Sequence, residues 1–272
     1  MANARDHQVT GFQSIDRMMA VMDSVAATGE AGARLADVAA ASGLNRATAH
    51  RFLKALQSAA MLDHDEDSGR YFIGLKIVTL SHAAAGRFRL ATRIESELRK
   101  LVEMTSDTVY LSVRIGHEAV CIVRHEGSFP IRTLTLKVGD RRPLGIGAGS
   151  LALLAFLPDE ARARAIATAG ASYAAFMLAP TEVASMAERS HGLGYALNDG
   201  RVISGMSAIA VPLRDSQGTP VAAITVAAIA QRMEEPRRAE IAEQLRRTCA
   251  AIESRYHAIL DSMSGWRHGG IA

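Results

Sequence analysis

The sequence has few cysteines, few aromatic residues and no long apolar run. Two cysteines among 272 residues cannot form a disulfide framework or, by themselves, a four-ligand zinc site. The longest apolar stretches, around 150–157 and 221–230, are shorter than the ~18 residues that a membrane span requires. The first ten residues are polar and lack the apolar core of a secretory signal. We therefore expect no membrane partner and a location in the reducing cytoplasm.

The N-terminal segment also lacks the net positive charge that a nucleic-acid-binding domain often carries. The net charge is +3, yet residues 1–75 contain seven Lys and Arg against nine Asp and Glu. A nucleic-acid role for this segment must therefore depend on where its few cations lie, because the total charge does not provide it. The length of the chain is sufficient for one or two domains, each with its own core.

Two short helices with a glycine-containing turn between them are predicted in the first segment. Apolar residues recur at helical spacing in 35–41 and again in 45–59. Gly43 suits the left-handed end of the first helix, and Asn45 can cap the second. Two helices joined by about three residues that include Gly are typical of a helix-turn-helix. Behind them, 61–64 and 70–73 flank an acidic turn and predict a β-hairpin, the arrangement called a wing.

The second helix is predicted to be amphipathic, with cations and hydroxyl groups on the face away from the core. Ala49, Leu53 and Leu56 gather on one side at ~100° per residue. The major groove of DNA admits one α-helix, whose N-terminal residues read base edges while cations contact phosphates. The alternative is the solvated face of an ordinary helical hairpin. The residues predicted to contact DNA are Asn45, Arg46, Ala47, Thr48, His50, Arg51 and Lys54, together with Arg70 in the wing.

The predicted wing tip is acidic and therefore unsuited to contact with phosphate. Asp65, Glu66 and Asp67 follow one another there. We expect modest sequence-independent affinity for DNA, and hence a need for a second copy of the chain to add contacts.

From about residue 107 the pattern changes to short strands joined by tight turns. Hairpins dominate this pattern, which favours an α+β fold with a mixed or antiparallel sheet over a doubly wound fold. Strands are predicted at 108–115, 119–125, 131–138, 205–213 and 219–229, and helices at 149–157, 158–169, 181–191 and 236–260.

Three segments carry a resemblance to a known family. Ser42-Gly-Leu-Asn-Arg-Ala-Thr-Ala-His-Arg-Phe-Leu-Lys-Ala-Leu is similar to the helix-turn-helix of IclR-type transcriptional regulators. Arg142-Pro-Leu-Gly-Ile-Gly-Ala-Gly-Ser-Leu-Ala-Leu-Leu-Ala and Gly205-Met-Ser-Ala-Ile-Ala-Val-Pro-Leu-Arg-Asp extend the similarity through the second half. Together with the shorter segments Ser14-Ile-Asp-Arg, Leu35-Ala-Asp-Val-Ala, Tyr71-Phe-Ile-Gly-Leu and Gly194-Tyr-Ala-Leu-Asn, their order and spacing extend the similarity over nearly the whole chain beyond residue 12.

This resemblance implies an α+β protein that regulates transcription and is not an enzyme. It implies a winged helix-turn-helix that binds a palindromic double-stranded DNA operator, and a GAF-like α/β sandwich that senses a small carboxylate. The chain is expected to pair with itself as a dimer or a dimer of dimers, with no cofactor, metal or catalytic residue. The implied segments are a flexible tail 1–12, a DNA-binding domain 13–75, a linker helix 76–105, an effector-binding and oligomerisation domain 106–262 and a flexible tail 263–272.

The resemblance also implies where the effector binds. Glycines in 145–149 let backbone N–H groups approach an anion at the start of a helix, where the helix dipole is favourable. Asn198 and Thr225 can provide the few directed hydrogen bonds that an apolar pocket needs. The implied effector-binding residues are Gly147, Ala148, Asn198, Met206, Ser207, Ala208, Thr225 and Ala227.

This sequence departs from the family pattern in the same region. The run Asn198-Asp-Gly-Arg replaces the family's acidic pair followed by Glu, and Ala208 and Ala227 stand where hydroxyl or thiol groups are common. We hypothesise that fewer polar groups and more volume select a larger, aromatic carboxylate over a two- or three-carbon acid.

Two other classes of function stay open at this point. One is an enzyme that uses the GAF-like pocket, and the other is a protein-interaction sensor that does not bind DNA. Cys121 and His125 lie four residues apart on a predicted strand, so their side chains share a face and suggest a thiol–imidazole pair. A cysteine in a strand is more often a small buried hydrophobe.

Overall fold

The structure is a computed structural model that describes residues 13–85, 89–131 and 135–264. The chain divides into two compact units, residues 1–86 and 87–272. The predicted tail 1–12 and all but two residues of the predicted tail 263–272 lie outside the described residues. No helix in the described ranges is both long and apolar enough to cross a membrane.

The first unit is a helix-turn-helix followed by a small antiparallel sheet. The hairpin predicted as a wing is present, and a two-residue strand pairs with its second strand to give the sheet order β1-β3-β2. Gly43 ends the second helix in the left-handed conformation, with φ +66°, as the sequence predicts. The elements are α1 (Gln13–Ala26), β1 (Ala33–Arg34), α2 (Leu35–Ser42), α3 (Arg46–Ser58), β2 (Leu62–Asp65), β3 (Arg70–Ile73) and α4 (Leu75–Ala85).

The core of the first unit fixes α3 through the apolar face of this helix. Leu53 and Leu56 of α3 are buried against Val21 and Val25 of α1 and against Tyr71 of the hairpin. Truncating such a leucine to alanine typically costs about 2–5 kcal/mol. The apolar face of α3 is therefore fixed, and the orientation of its opposite face follows from it.

The second unit is a six-stranded antiparallel sheet with helices on both faces. The strand order is β6-β5-β4-β9-β8-β7, so β6 and β7 are the two edges. The elements are α5 (Arg89–Arg93), α6 (Glu95–Thr105), β4 (Thr108–Ile115), β5 (Glu118–His125), β6 (Arg141–Pro143), α7 (Ala148–Ala155), α8 (Asp159–Ala169), α9 (Pro180–Leu193), β7 (Ala196–Asp199), β8 (Met206–Arg214), β9 (Pro220–Ile229) and α10 (Arg237–Met263).

Side-chain alternation along the strands divides this unit into two cores. Val109 and Leu111 of β4 point toward α6 and α10, where they join a large apolar cluster. Tyr110 and Ser112 lie between them in sequence and face the opposite side, where α7 packs on the sheet. The sheet therefore has one largely apolar face and one face that carries more polar groups.

The segment predicted as a linker helix, 76–105, is divided between the two units. Residues 75–85 form α4 in the first unit, whereas Leu90, Ile94 and Leu98 are buried in the core of the second. Gly86, where an interruption is predicted, lies outside the described residues. The amphipathic pattern of 89–105 thus belongs to a domain core as well as to a connection.

Two boundaries differ from the sequence prediction. The strand predicted at 131–138 does not extend over residue 131 or 135–138; residues 132–134 lie outside the described part of the chain, and the edge strand β6 follows at Arg141–Pro143. At the other end, α10 continues to Met263, whose side chain is buried.

Candidate nucleic-acid interface and ligand pocket

Helix α3 begins with a side-chain cap that fixes its first turn. Asn45 has extended backbone geometry, and its Oδ1 accepts a 2.8 Å hydrogen bond from the Thr48 N–H. This bond satisfies one of the N–H groups that have no partner at a helix N-terminus. The predicted DNA-reading helix thus starts at Arg46, immediately after the cap.

The face of α3 opposite the core is exposed and cationic. Arg46, His50, Arg51 and Lys54 are exposed, as are Asn45 and Ala47, and Thr48 is half-buried. Lys54 Nζ lies 3.3 Å from Gln57 Oε1 on the same helix. Within the described ranges, neither Arg46 nor Arg51 forms an ion pair or hydrogen bond with another residue. The cations predicted to meet DNA are therefore available to an external anion.

Arg70 occupies a different environment from the other predicted contacts. Its Nη1 donates to the carbonyl oxygens of Ala31 and Gly32, at 3.0 and 2.8 Å, and the residue is half-buried. The guanidinium thus ties the wing to the chain just before β1. These two hydrogen bonds give the Arg70 guanidinium a structural role that does not require contact with a DNA phosphate.

The tip of the wing is held by its own acidic side chain. Asp65 Oδ1 accepts from the Asp67 N–H at 3.0 Å, and Oδ2 accepts from the Ser68 hydroxyl at 2.6 Å. The Ser68 hydroxyl, followed by the Asp67 N–H, lowers the pKa of the Asp65 carboxyl. The tip therefore stays anionic in neutral solution, as the acidic sequence predicts.

The second unit contains a cavity between the polar face of its sheet and the start of α7. Its volume is about 40 Å³, room for about three water molecules. Both edge strands, all four inner strands and α7 contribute to its wall. The lining residues are Tyr110, Ser112, Ala119, Cys121, Thr135, Leu136, Asp140, Arg142, Ile146, Gly147, Ala148, Gly149, Ser150, Asn198, Ala208, Thr225 and Ala227.

Two glycines allow the backbone at the start of α7 to form one wall of this cavity. Gly147 precedes the helix with φ +83°, a conformation that other residues rarely adopt. A Cβ on Gly149 would lie 2.8 Å from the Thr225 hydroxyl, so only glycine lets β9 approach the first turn so closely. The first N–H groups of α7 have no partner within the helix and carry its positive dipole end.

A half-buried arginine stands beside this helix end. Arg142 Nη2 donates to the Thr135 carbonyl oxygen at 2.9 Å, the one hydrogen bond that it makes with a described residue. Its Nη1 would lie 3.1 Å from a Cβ placed on Gly147. Burial lowers the pKa of the Arg142 guanidinium, against the charge of Asp140, yet arginine remains protonated in proteins. The cavity thus contains a partly desolvated cation.

Asn198, on the opposite edge strand, has an acceptor without a donor. The residue is 8% exposed, and its Oδ1 is the one buried side-chain oxygen or nitrogen in the described part of the chain without a hydrogen-bond partner. Buried polar groups are nearly always paired, so this oxygen is a candidate acceptor for a hydrogen-bond donor in the cavity.

The structure brings together most of the residues that the resemblance predicts. Gly147, Ala148, Asn198, Ala208, Thr225 and Ala227 all line the cavity. Met206 and Ser207 do not. Ser207 is adjacent to Ala208 on β8, and neighbouring strand residues face opposite sides of a sheet. The Ser207 hydroxyl instead donates to the Asn198 carbonyl oxygen at 3.2 Å, and Met206 lies at the end of the strand.

Several lining residues were not predicted from the sequence, because their strands were interpreted only as parts of the apolar core. Tyr110 and Ser112 alternate with buried valine and leucine in β4, and this alternation places them on the face opposite that core. Burial raises the pKa of Tyr110, while its hydrogen bond to Thr135 opposes this shift. Arg142 lies on β6, which is too short to show periodicity. The cavity therefore contains polar groups besides those that the resemblance indicates.

The thiol–imidazole pair considered from the sequence is not formed. Cys121 lines the cavity, and burial, followed by the charge of Asp140, raises the pKa of its thiol to about 11. His125 Nε2 instead lies 2.9 Å from Glu95 Oε2. A neutral, buried thiol is a poor nucleophile. In the described ranges, no group of three or more His, Cys, Asp or Glu could hold a metal ion.

Comparison with known proteins agrees with this architecture. The family model of the IclR helix-turn-helix domain matches residues 14–66, and that of the bacterial transcriptional regulator IclR C-terminal domain matches residues 82–254. The HTH-type transcriptional regulator XynR of Escherichia coli K12 is 27% identical over 247 residues, which cover 89% of this chain and 96% of that protein.

Solved structures show the same fold. The Thermotoga maritima IclR superposes with a TM-score of 0.71 at 19% identity, covering 90% of this chain and 99% of that one. An IclR homologue from Microbacterium hydrocarbonoxydans complexed with 4-hydroxybenzoate gives 0.69 at 22% identity, covering 89% and 99%. With more than half of its length matched by the C-terminal family model and its first unit matched by the helix-turn-helix model, the chain belongs to the IclR family of bacterial transcriptional regulators.

Proposed function

We propose that this regulator reads its operator through α3 and changes its affinity for DNA when a small carboxylate binds the cavity in the second unit. The observation that carries the first part is the exposed face of α3, where Arg46, Arg51 and Lys54 point away from the core. A helix presented in this way fits the major groove, where arginine binds guanine edges in a bidentate manner. In this proposal Asn45, Ala47, Thr48 and His50 complete the contact surface.

The operator is proposed to be palindromic and bound by two copies of the chain. One wing provides little attraction for phosphate, because Asp65 makes its tip anionic and Arg70 is bound to backbone carbonyls. Few phosphate contacts per chain mean modest sequence-independent affinity. A dimer or dimer of dimers doubles the contacts and places two half-sites about one helical turn apart. Such binding takes place in the cytoplasm, the location predicted from the sequence.

The effector is proposed to be a carboxylate held at the start of α7. Arg142 and the helix N-terminus provide positive charge on one side of the cavity, and hydroxyl groups provide directed hydrogen bonds. The polar lining of the cavity favours a compact acid over the larger aromatic acid that the sequence predicts. An affinity difference between the two states of about 1–3 kcal/mol is enough for such control.

The test of DNA binding uses the intergenic DNA upstream of the chain's own gene. In a gel-shift assay at physiological salt with excess competitor DNA, we expect the full chain to shift this fragment specifically. DNase footprints should reveal two related half-sites. No specific shift at any concentration would favour the enzyme or the protein-interaction sensor and would contradict the operator proposal.

The effector is tested in the same assay with added acids. We expect lactate to change the apparent affinity for the shifted fragment at lower concentration than 4-hydroxybenzoate does. If 4-hydroxybenzoate acts at the lower concentration, the result would support the prediction of an aromatic acid. If no carboxylate changes either DNA binding or the melting temperature, the effector proposal is wrong while operator binding is unaffected.

A further inference from the structure

The geometry points to a specific chemical class of effector: a carboxylate that also carries a hydrogen-bond donor, such as a hydroxy acid, with Arg142 selecting the carboxylate and Asn198 selecting the hydroxyl. This inference rests on the proposed function, because it assigns the ligand of the same cavity. It goes further by naming two residues and two separate requirements that the ligand must meet.

Arg142 provides the first requirement. Its guanidinium has five N–H donors, and the Thr135 carbonyl oxygen is the one acceptor that it reaches among the described residues. Burial disfavours its charge, and no carboxylate within the described ranges lies close enough to form an ion pair with it. Asp140 also lines the cavity, but its Oδ2 accepts from the Lys137 N–H at 2.8 Å. The charge of Asp140 acts on Arg142 without a direct ion pair, so an anionic ligand would give the guanidinium the contacting carboxylate that no described residue provides.

The position of Arg142 makes it available to a ligand that also meets α7. Its Nη1 lies beside Gly147, where the positive end of the helix dipole faces the same space. The preceding residue, Arg141, is on the other face of strand β6 and pairs with Glu118 at 2.9 Å through its Nε. Of these two adjacent arginines, Arg141 forms an ion pair with a carboxylate, whereas Arg142 faces the cavity without such a pair.

Asn198 provides the second requirement. The unpaired atom is the amide oxygen, which only accepts hydrogen bonds. A carboxylate has no proton to donate in neutral solution and would leave this oxygen unpaired, at a cost in affinity. A ligand hydroxyl or amine would satisfy it. Because an asparagine is neutral, it accepts from a hydroxyl without repelling the carboxylate of the same ligand.

The two residues reach the cavity from different sides, and this separates the two ends of the ligand. Arg142 lies on β6 and Asn198 on β7, the two edges of the six-stranded sheet. Between them, Ala208 and Ala227 leave space, and cross-strand pairing places Asn198, Ala208 and Ala227 in one row. The carboxylate is therefore expected at the β6 side and the donor at the β7 side.

The experiment is calorimetric titration of the full chain with matched acids. Lactate, propionate and lactamide form one set, in which the second compound lacks the hydroxyl and the third lacks the negative charge. The compounds 4-hydroxybenzoate, benzoate and 4-hydroxybenzamide form a larger set with the same logic. In the set that fits the cavity, the hydroxy acid should bind more tightly than both of its analogues.

Variants then assign each preference to its residue. R142Q should weaken the hydroxy acid about ten- to hundredfold and abolish its advantage over the amide, and R142K should restore part of the affinity. N198L should lower the affinity for the hydroxy acid to that for the deoxy acid, about three- to tenfold, and leave the deoxy acid unchanged. R141Q is the matched control and should leave all affinities unchanged.

Stability measurements keep the two effects separate from misfolding. Without ligand, N198L should melt no lower than the wild type, because it removes an unpaired buried acceptor. If R142Q or N198L folds and retains the selectivity of the wild type, the assignment is wrong. If no probe binds the wild type, the carboxylate proposal fails with it. If the probes bind as expected but leave operator affinity unchanged, the residue assignment stands and the regulatory role of the cavity fails.

Discussion

The carboxylate of Asp107 accepts a 2.6 Å hydrogen bond from Nη2 of Arg237, which lies 130 residues later in the chain. Arg232 Nε donates to the other oxygen at 2.9 Å, and both guanidinium groups also donate to the Thr105 carbonyl oxygen. The Asp107 side chain is 2% exposed. One buried carboxylate thus joins the end of α6 to the start of α10.

Replacing Asp107 with asparagine should therefore destabilise the second unit. The substitution leaves two guanidinium groups next to each other without a counter-charge, and breaking a buried ion pair in this way costs about 3 kcal/mol. Urea unfolding followed by circular dichroism measures the change. Glu243→Gln is the control, because Glu243 pairs with Arg246 and Arg247 on the surface and its loss should have little effect. Equal stability of the two variants would contradict the role of Asp107.

The Arg51→Ala substitution separates base reading from phosphate binding. Arg51 is exposed on α3 and forms no ion pair with a described residue. If it contacts a guanine edge, its loss should cost about 1–3 kcal/mol of binding and relax specificity at one base pair. Fluorescence anisotropy with a set of single-base operator variants checks this. Uniform weakening across all sequences, with a smaller salt dependence, would identify a phosphate contact instead.

The cap at Asn45 should contribute to the stability of the first unit independently of DNA. Asn45→Ala removes the hydrogen bond to the Thr48 N–H, a loss that typically costs about 1 kcal/mol. Asn45→Asp keeps an acceptor at the same place and should be close to the wild type. Thermal unfolding of both variants without DNA provides the measurement. If the alanine and aspartate variants have the same melting temperature, the cap does not stabilise the unit.

Gly147→Ala should lower the affinity for the carboxylate in addition to the loss of stability that any alanine causes at a positive φ. The new methyl group would lie 3.1 Å from Arg142 Nη1, and φ is +83° at this position. Gly218→Ala introduces a similar backbone strain, of about 1 kcal/mol, at a turn with no neighbouring atom within 4 Å. Both variants should lose comparable stability in chemical denaturation. Only Gly147→Ala should reduce the affinity for the hydroxy acid in calorimetry; a similar reduction in both would point to general strain.

Alkaline pH should destabilise the second unit partly through Cys121. Burial raises the pKa of this thiol from 9.0 to about 11, so the folded protein holds the proton more strongly than the unfolded chain. The resulting stability is fully present below pH 9 and is lost as the pH rises toward 11. Cys121→Ala should therefore show a shallower decline of the free energy of unfolding across this interval. An identical slope in both proteins would contradict the assigned pKa.

The sequence predicted the first unit in detail because its signals are local. Gly43 and Asn45 mark the turn by backbone chemistry, and the spacing of Leu53 and Leu56 fixes which face of α3 is buried. A helix whose one face must be buried necessarily exposes the other. In the second unit the same logic placed the antiparallel strands, but 135–138 shows its limit, since alternation predicts a strand there and none occurs.

The cavity could be predicted only in part. The resemblance indicated Gly147, Asn198 and Thr225, which the structure brings together. It also included Ser207, which the two-residue alternation of β8 directs away from the cavity toward the Asn198 carbonyl oxygen. Arg142 begins a segment that carries the resemblance, but nothing in the sequence indicated that it lines the cavity, because a three-residue strand is too short to show which face a cation lies on.

The amino-acid sequence by itself determined the helix-turn-helix, its cap and its cationic face, since each of these depends on residues within about fifteen positions of one another. Only the tertiary structure decided which polar groups share a cavity. Arg142 and Asn198 are 56 positions apart and lie on opposite edges of one sheet. That both line one cavity depends on strand order and on the packing of α7. An unpaired acceptor such as Asn198 Oδ1 can be identified only after the positions of all neighbouring donors are known.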